Sequence, residues 1–130
     1  LQFVLSLNPS FVARSFSGEV DHMTEIFRRA LHHKGFAYVE ILQACPTYNR
    51  LTPENWYAER VKFVEDLKGY DRGDIWAARK LVDDMNNDIY LGILYENKGA
   101  KDFLSLQASR EGRETSLVEE VERFDVSGLV

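Results

Sequence analysis

The chain has one cysteine, three prolines and two methionines in 130 residues. A single thiol, Cys45, excludes an internal disulfide framework and any zinc site built wholly from the chain's own thiolates. The apolar runs are short and broken by charge, so none approaches the roughly 20 consecutive apolar residues of a membrane span. Also missing are the phosphate-cradling loops GxGxxG and GxxxxGK[ST] and the serine elbow GxSxG, which removes the common self-contained nucleotide and hydrolase sites. A net charge of -5 and a pI near 5.2 leave no basic footprint of a general nucleic-acid binder. The opening LQFVLSL lacks the basic start and small-residue exit of a secretory signal. It begins on Leu1, and the chain is expected to start inside a longer polypeptide.

What is present is ordinary globular material, 45% hydrophobic and 28% charged, enough for one modest domain or part of one. Charge is uneven: residues 1–50 carry five Lys/Arg against four Asp/Glu, and residues 51–130 carry eleven against seventeen. Ser10 to Phe16 reads as a short strand with Phe11, Ala13 and Ser15 on one face and Val12, Arg14 and Phe16 on the other, so that Arg14 needs solvent or a partner. From Val20 to Lys34 the apolar residues Met23, Ile26, Phe27, Ala30 and Leu31 recur with the period of an amphipathic helix. Glu19 and Asp21 lie at its start, His32, His33 and Lys34 at its end, and Gly35 follows as the expected C-terminal cap. Phe36 to Leu42 is a nearly continuous apolar run that predicts a strand buried on both faces. Strand, helix and strand make a βαβ unit with parallel pairing, and such units hold their ligands at the carboxyl ends of the strands.

Beyond that unit, Thr52 as N-cap and Pro53 at the first helical position predict a helix with the stripe Tyr57, Val61, Val64 and Leu67. Residues 69–73 read as a loop. A shorter helix is expected from Asp74, with Ile75, Ala78, Leu81, Val82 and Met85 on one side and Asn86-Asn87 ending it. Ile89 to Tyr95 predicts a strand whose internal glycine, Gly92, marks a bulge or a close backbone approach. Lys98-Gly99 reads as a turn, and Leu117, Val118, Val121 and Phe124 as one short amphipathic helix in an acidic tail.

The candidate chemistry is sparse. His22, His32 and His33 have no metal-binding spacing and read as helix-terminal histidines on a wet face. Asp83, Asp84 and Asp88, and Glu119, Glu120 and Glu122, lack the alternating ligands of a calcium loop and read as solvated acidic faces. Cys45 differs by its place, three residues past the end of the second strand, in a loop where Pro46 fixes the turn. Thr47 and Asn49 offer that loop side chains and amides able to bond a sulfur. Three readings stay open on the residues alone: a structural cysteine, one ligand of a cluster shared with other sequence, or a reactive thiol without a nearby base.

Three stretches carry a family resemblance. SFVARSFSG, then HHKGFAYVEILQACPTYN, then DIYLGILYEN occur in the order and spacing of the C-terminal part of the beta subunit of 2-oxoacid:ferredoxin oxidoreductases, which this chain resembles over most of residues 9–96. The resemblance implies an α/β fold: residues 1–50 as the C-terminal βαβ part of a parallel-sheet, thiamine-diphosphate-binding domain, and residues 51–130 as an extension of helices, one strand at 89–95 and an acidic tail. It also implies oxidative decarboxylation of a 2-oxoacid to acyl-CoA, with electrons passing through an iron–sulfur cluster to ferredoxin. The implied cofactors are thiamine diphosphate, Mg2+ and a 4Fe-4S cluster, all shared with sequence outside this segment. The implied partners are the alpha subunit, ferredoxin, the 2-oxoacid and coenzyme A, in the cytoplasm, with no nucleic acid and no membrane. By the same resemblance Cys45 stands where the family has its later cluster cysteine, the fourth ligand. The family's Gly-Asp-Gly motif and N-terminal CxxC are absent here, so the catalytic residues are expected upstream of Leu1 and the chain alone is expected to be inactive. Two rivals compete with this reading. One is a non-catalytic α/β interaction module docking a basic partner through the acidic second part, and the other is a thiol-dependent redox protein built on Cys45.

Overall fold

The computed structural model describes residues 1–83 and 88–123. Asp84, Met85, Asn86-Asn87 and Phe124 lie outside the described residues. Five helices, α1 (Gln2–Ser6), α2 (Val20–His32), α3 (Glu54–Ala58), α4 (Ile75–Asp83) and α5 (Leu117–Arg123), accompany four strands, β1 (Phe11–Phe16), β2 (Ala37–Leu42), β3 (Val61–Phe63) and β4 (Ile89–Glu96). The strands form one sheet in the order β2-β1-β4-β3. β1 pairs parallel with β2 from Phe11 opposite Ala37 to Phe16 opposite Leu42, the expected βαβ arrangement. β4 runs antiparallel to β1 and parallel to β3, so the sheet is mixed α/β rather than wholly parallel.

β1 is the best-covered strand, with all six residues buried. Its alternation sorts the core as read from the sequence. Phe11 and Ala13 pack with Ile26 of α2 and Ile93 of β4. On the other face Val12 joins Leu5, Val64, Ala78, Val82, Leu94 and Tyr95. Phe16 closes a third cluster with Ile89 and Leu91, lined by Leu42, Trp56, Tyr57, Val61 and Phe63. Arg14, 6% exposed in this strand, meets Glu40 directly across the parallel pair at 2.5 Å, which supplies the partner its charge requires.

Four expectations change. β2 is not buried on both faces: it ends the sheet, its residues are half-buried and Ile41 is exposed, because no further strand among the described residues covers it. α2 buries Ile26 alone, while Phe27 and Leu31 face outward, the latter 83% exposed. The C-cap of α2 is His33 in extended conformation, and Gly35 is needed two residues later at φ +110, where a Cβ would lie 2.5 Å from Ser10 Oγ. The long helix expected after Thr52 stops at Ala58, and Val61–Phe63 becomes β3, so the second part contributes two strands instead of one. The Val-Lys-Phe run alternates apolar and charged residues and finds a pairing strand in β4, which outweighs its weaker helical spacing.

The glycine in β4 shows one of the two features expected of it, the close approach. Gly92 has φ +120, and a Cβ there would lie 2.8 Å from Glu65 Oε2 and 3.1 Å from Val64 Cβ, whereas the irregularity in the β1–β4 pairing falls at Leu94, between Ile93 opposite Ala13 and Tyr95 opposite Val12. Among the described residues no helix is long and apolar enough to cross a membrane.

Candidate functional site

The carboxyl ends of β1 and β2 lie side by side, and the chain leaves β2 there toward Cys45. Both flanks of that loop are anchored. Leu42, at the end of β2, and Trp56 and Tyr57, in α3, pack on the Phe16 cluster. Phe16 and Tyr57 stack with ring centroids 5.4 Å apart, and Arg60 covers Trp56 at 4.4 Å. The segment between is thus suspended at the sheet's edge between two fixed points.

Within it the backbone curls around the thiol. The Asn49 amide donates to the Cys45 carbonyl at 3.0 Å. The backbone of Tyr48 first, then that of Thr47 and more weakly that of Asn49, lowers the Cys45 thiol pKa below its ordinary value, against the opposing effect of desolvation. Cys45 is a free, half-buried cysteine. It lines a cavity of about 320 Å³ with Ala44, Pro46, Asn49, Arg50, Pro53 and Glu54. A thiolate stabilised by amide donors and opening on a cavity is suited to a soft metal. Among the described residues that line the cavity there is no histidine, the usual base of a cysteine nucleophile.

Those features fit one ligand of an iron–sulfur cluster and not a complete site. Among the described residues no group of three or more His, Cys, Asp or Glu side chains could hold a metal ion.

Two residues of the loop carry more than their sequence suggested. Thr52 does not cap α3, whose N-cap is Pro53 without a side-chain bond. The Thr52 hydroxyl instead accepts from Asn49 Nδ2 at 2.5 Å, and the Thr52 amide donates to Asn49 Oδ1 at 3.2 Å. Asn49 therefore uses its amide on the Cys45 carbonyl and its side chain on Thr52. The Asn-x-x-Thr spacing was the available signal, and it competes with the reading of Thr-Pro as a helix start.

The remaining candidates lie elsewhere. His32 is exposed as expected, but His22 sits against Phe63 at 4.9 Å with Glu65 at 3.8 Å, and both of its ring nitrogens are buried. His33 packs on Phe11 at 5.2 Å. The wet-face reading therefore holds for one histidine of three. In the acidic tail, Glu119 accepts from the Ser116 amide at 2.7 Å and Glu120 pairs with Arg110 at 2.7 Å. These are capping and ion-pair roles.

A family model described as the C terminal of the pyruvate ferredoxin oxidoreductase beta subunit matches residues 45–109, half of the chain, beginning on the cysteine itself. The chain is 35% identical over 104 residues to subunit beta of 2-oxoacid:ferredoxin oxidoreductase 2 of Aeropyrum pernix, covering 72% of this chain and 33% of that protein. It is also 35% identical over 71 residues to the 2-oxoacid:ferredoxin oxidoreductase subunit beta of Saccharolobus solfataricus, covering 55% of this chain and 23% of that one. Among solved structures it is similar to the 2-oxoglutarate:ferredoxin oxidoreductase of Magnetococcus marinus with 2-oxoglutarate, coenzyme A and succinyl-CoA bound. That likeness has a TM-score of 0.75 at 26% identity and covers 99% of this chain and 42% of that one. The chain thus spans a third or less of these two curated relatives.

Proposed function

Because the chain belongs to the family of C-terminal segments of the pyruvate ferredoxin oxidoreductase beta subunit, we propose that it is the back part of the beta subunit of a 2-oxoacid:ferredoxin oxidoreductase, with Cys45 ligating an iron–sulfur cluster. The other cluster ligands come, in this reading, from sequence outside these 130 residues. The observation that carries it is the placement of Cys45, in the loop that leaves the carboxyl ends of β1 and β2, where it lines a cavity on the matched family segment that begins at this residue.

The complete enzyme oxidatively decarboxylates a 2-oxoacid to its acyl-CoA and passes the electrons to ferredoxin. When bound, thiamine diphosphate with Mg2+ supplies the carbon chemistry and a 4Fe-4S cluster the one-electron steps. This chain's own contribution is narrower. Cys45 offers one thiolate, the surrounding loop backbone favours its ionised form, and the sheet with α3 fixes where that thiolate stands. No residue of the chain is assigned to thiamine diphosphate, to Mg2+ or to the choice of 2-oxoacid. The alpha subunit is the expected partner in the complex, in the cytoplasm.

The test is enzymatic and analytical together. The complete complex, purified without oxygen, should oxidise a 2-oxoacid in a coenzyme A-dependent reaction and contain iron and acid-labile sulfide. Residues 1–130 alone should show neither activity nor a full complement of iron. A complete complex with no coenzyme A-dependent oxidation of pyruvate, 2-oxoglutarate or a branched-chain 2-oxoacid would overturn the reading.

A further inference from the structure

At the amino ends of β1 and β2, the opposite end of the sheet from Cys45, cations from separate parts of the chain converge. Arg28, Arg29 and His32 come from the last turns of α2, Lys34 from the link to β2, and Lys98 from the turn after β4; with Glu96 they line a cavity of about 310 Å³. Four Lys and Arg side chains thus meet one lining carboxylate, in a chain whose net charge is -5. Glu25 holds Arg28 through bonds of 2.8 and 2.9 Å, and Arg29 gives Glu96 one nitrogen at 3.3 Å. Lys34 and Lys98 make no ion pair among the described residues. The two histidines are turned to other uses, His32 Nδ1 lying 2.7 Å from the Arg28 carbonyl and His33 packing on Phe11.

Ser10 builds this cleft. Its carbonyl accepts from the Asn97 amide at 2.8 Å and its hydroxyl donates to the Phe36 carbonyl at 2.8 Å, so the strand start after Lys34 and the turn bearing Lys98 are fixed to one residue. Asn97 closes that turn on the Gly99 amide at 3.0 Å and the Ala100 amide at 3.2 Å. Gly35 approaches the same turn so closely that a Cβ on it would lie 3.1 Å from Ala100 Cβ. Cations in the last turn of a helix complement its macrodipole, which accounts for Arg29 and His32. It does not account for Lys98, which belongs to another element and is held where it adds to the charge. Gathering like charges costs energy that a bound anion removes, and a cleft held in place before binding loses little entropy on taking one. A second cavity of about 620 Å³ shares Arg29, Glu96 and Lys98 with the first and adds Leu67, Tyr70 and Tyr95. Arg72 is neutralised there by Glu65 at 2.8 Å. We propose that the joined cleft binds a phosphomonoester, with its phosphate between Lys34, Lys98 and the remaining donors of Arg29, and its organic body in the larger cavity. The site is independent of the assignment of Cys45.

The experiment is lysine acylation of the complete complex, saturated with thiamine diphosphate, read residue by residue by mass spectrometry. Inorganic phosphate and adenosine monophosphate are the probes, with chloride at matched ionic strength as the screening control. Both probes should slow labelling of Lys34 and Lys98 and leave Lys62, on the far edge strand, at its original rate. Adenosine monophosphate should reach half-protection at a concentration about tenfold lower than phosphate, because its organic part gains contacts of its own. Lys98→Ala should raise the concentration that protects Lys34 about tenfold, Lys34→Ala should do the same for Lys98, and Lys98→Arg should restore protection of Lys34. Equal slowing by chloride, equal slowing at Lys62, or no slowing by either probe overturns the proposal, as do lysines 34 and 98 that are unreactive before any probe is added. Equal half-protection by the two probes overturns the phosphomonoester in favour of free phosphate.

Discussion

Arg14 and Tyr70 show how single polar groups are accommodated in and against this sheet. Arg14 lies in the most buried strand, and Glu40, opposite it in β2, is its neutralising partner. Removing the carboxylate leaves a buried guanidinium without compensation. Glu40→Ala should therefore lower the unfolding free energy by about 3 kcal/mol, read from urea denaturation, whereas the double apolar replacement Arg14→Met with Glu40→Leu should cost much less. Tyr70 donates its hydroxyl to the Leu94 carbonyl at 2.7 Å. Burial, with Asp74 and more weakly Asp71 adding to it and Arg72 opposing, pushes this phenol up to about 12. A phenol with a folded pKa above its unfolded value of about 10 contributes stability that is present below pH 10 and lost as the pH rises through about 12. Tyr70→Phe should cost about 1 kcal/mol at neutral pH. It should also flatten the fall of stability between pH 10 and 12 in a denaturation series, and an unchanged slope would remove Tyr70 as its source.

At the scale of elements, legibility followed how much of each element's environment is local. β1, α2 and β4 were readable because each carries its own period or its own boundary residues, and Gly92 announced the close approach of Glu65 and Val64. β3 was not, since Val61, Val64 and Leu67 also fit a helical stripe, and the strand exists because β4, some thirty residues on, accepts it. The edge position of β2 was illegible for a related reason. Apolar composition shows that a strand wants cover, not whether this chain provides it. Of the candidate site, the place of Cys45 could be read and the Asn49–Thr52 bond could not, because the Thr52 hydroxyl has two uses open to it and the partner three residues back decides between them. Gly92→Ala tests the β4 geometry. With a positive φ and a Cβ driven against Glu65 and Val64, the variant should lose about 2 to 3 kcal/mol. A loss below about 0.5 kcal/mol would show that the backbone and its neighbours at this position relax freely.

Considered whole, the molecule is an acidic sheet-and-helix segment with one thiol, matched along half its length to the C-terminal family of an oxidoreductase's beta chain. Its lone cysteine, met first as an absence of disulfides and zinc sites, stands in the loop that leaves the carboxyl end of β2 and lines a cavity there. A cluster needs about four such ligands, so the account requires that this thiolate act with others contributed from elsewhere. The most direct measurement is the visible absorption and low-temperature spin spectrum of the complete complex carrying Cys45→Ser, with iron counted per beta subunit and folding followed by circular dichroism. The account predicts an unchanged fold with a bleached or altered cluster and less iron. An unchanged spectrum and a full iron count would contradict it.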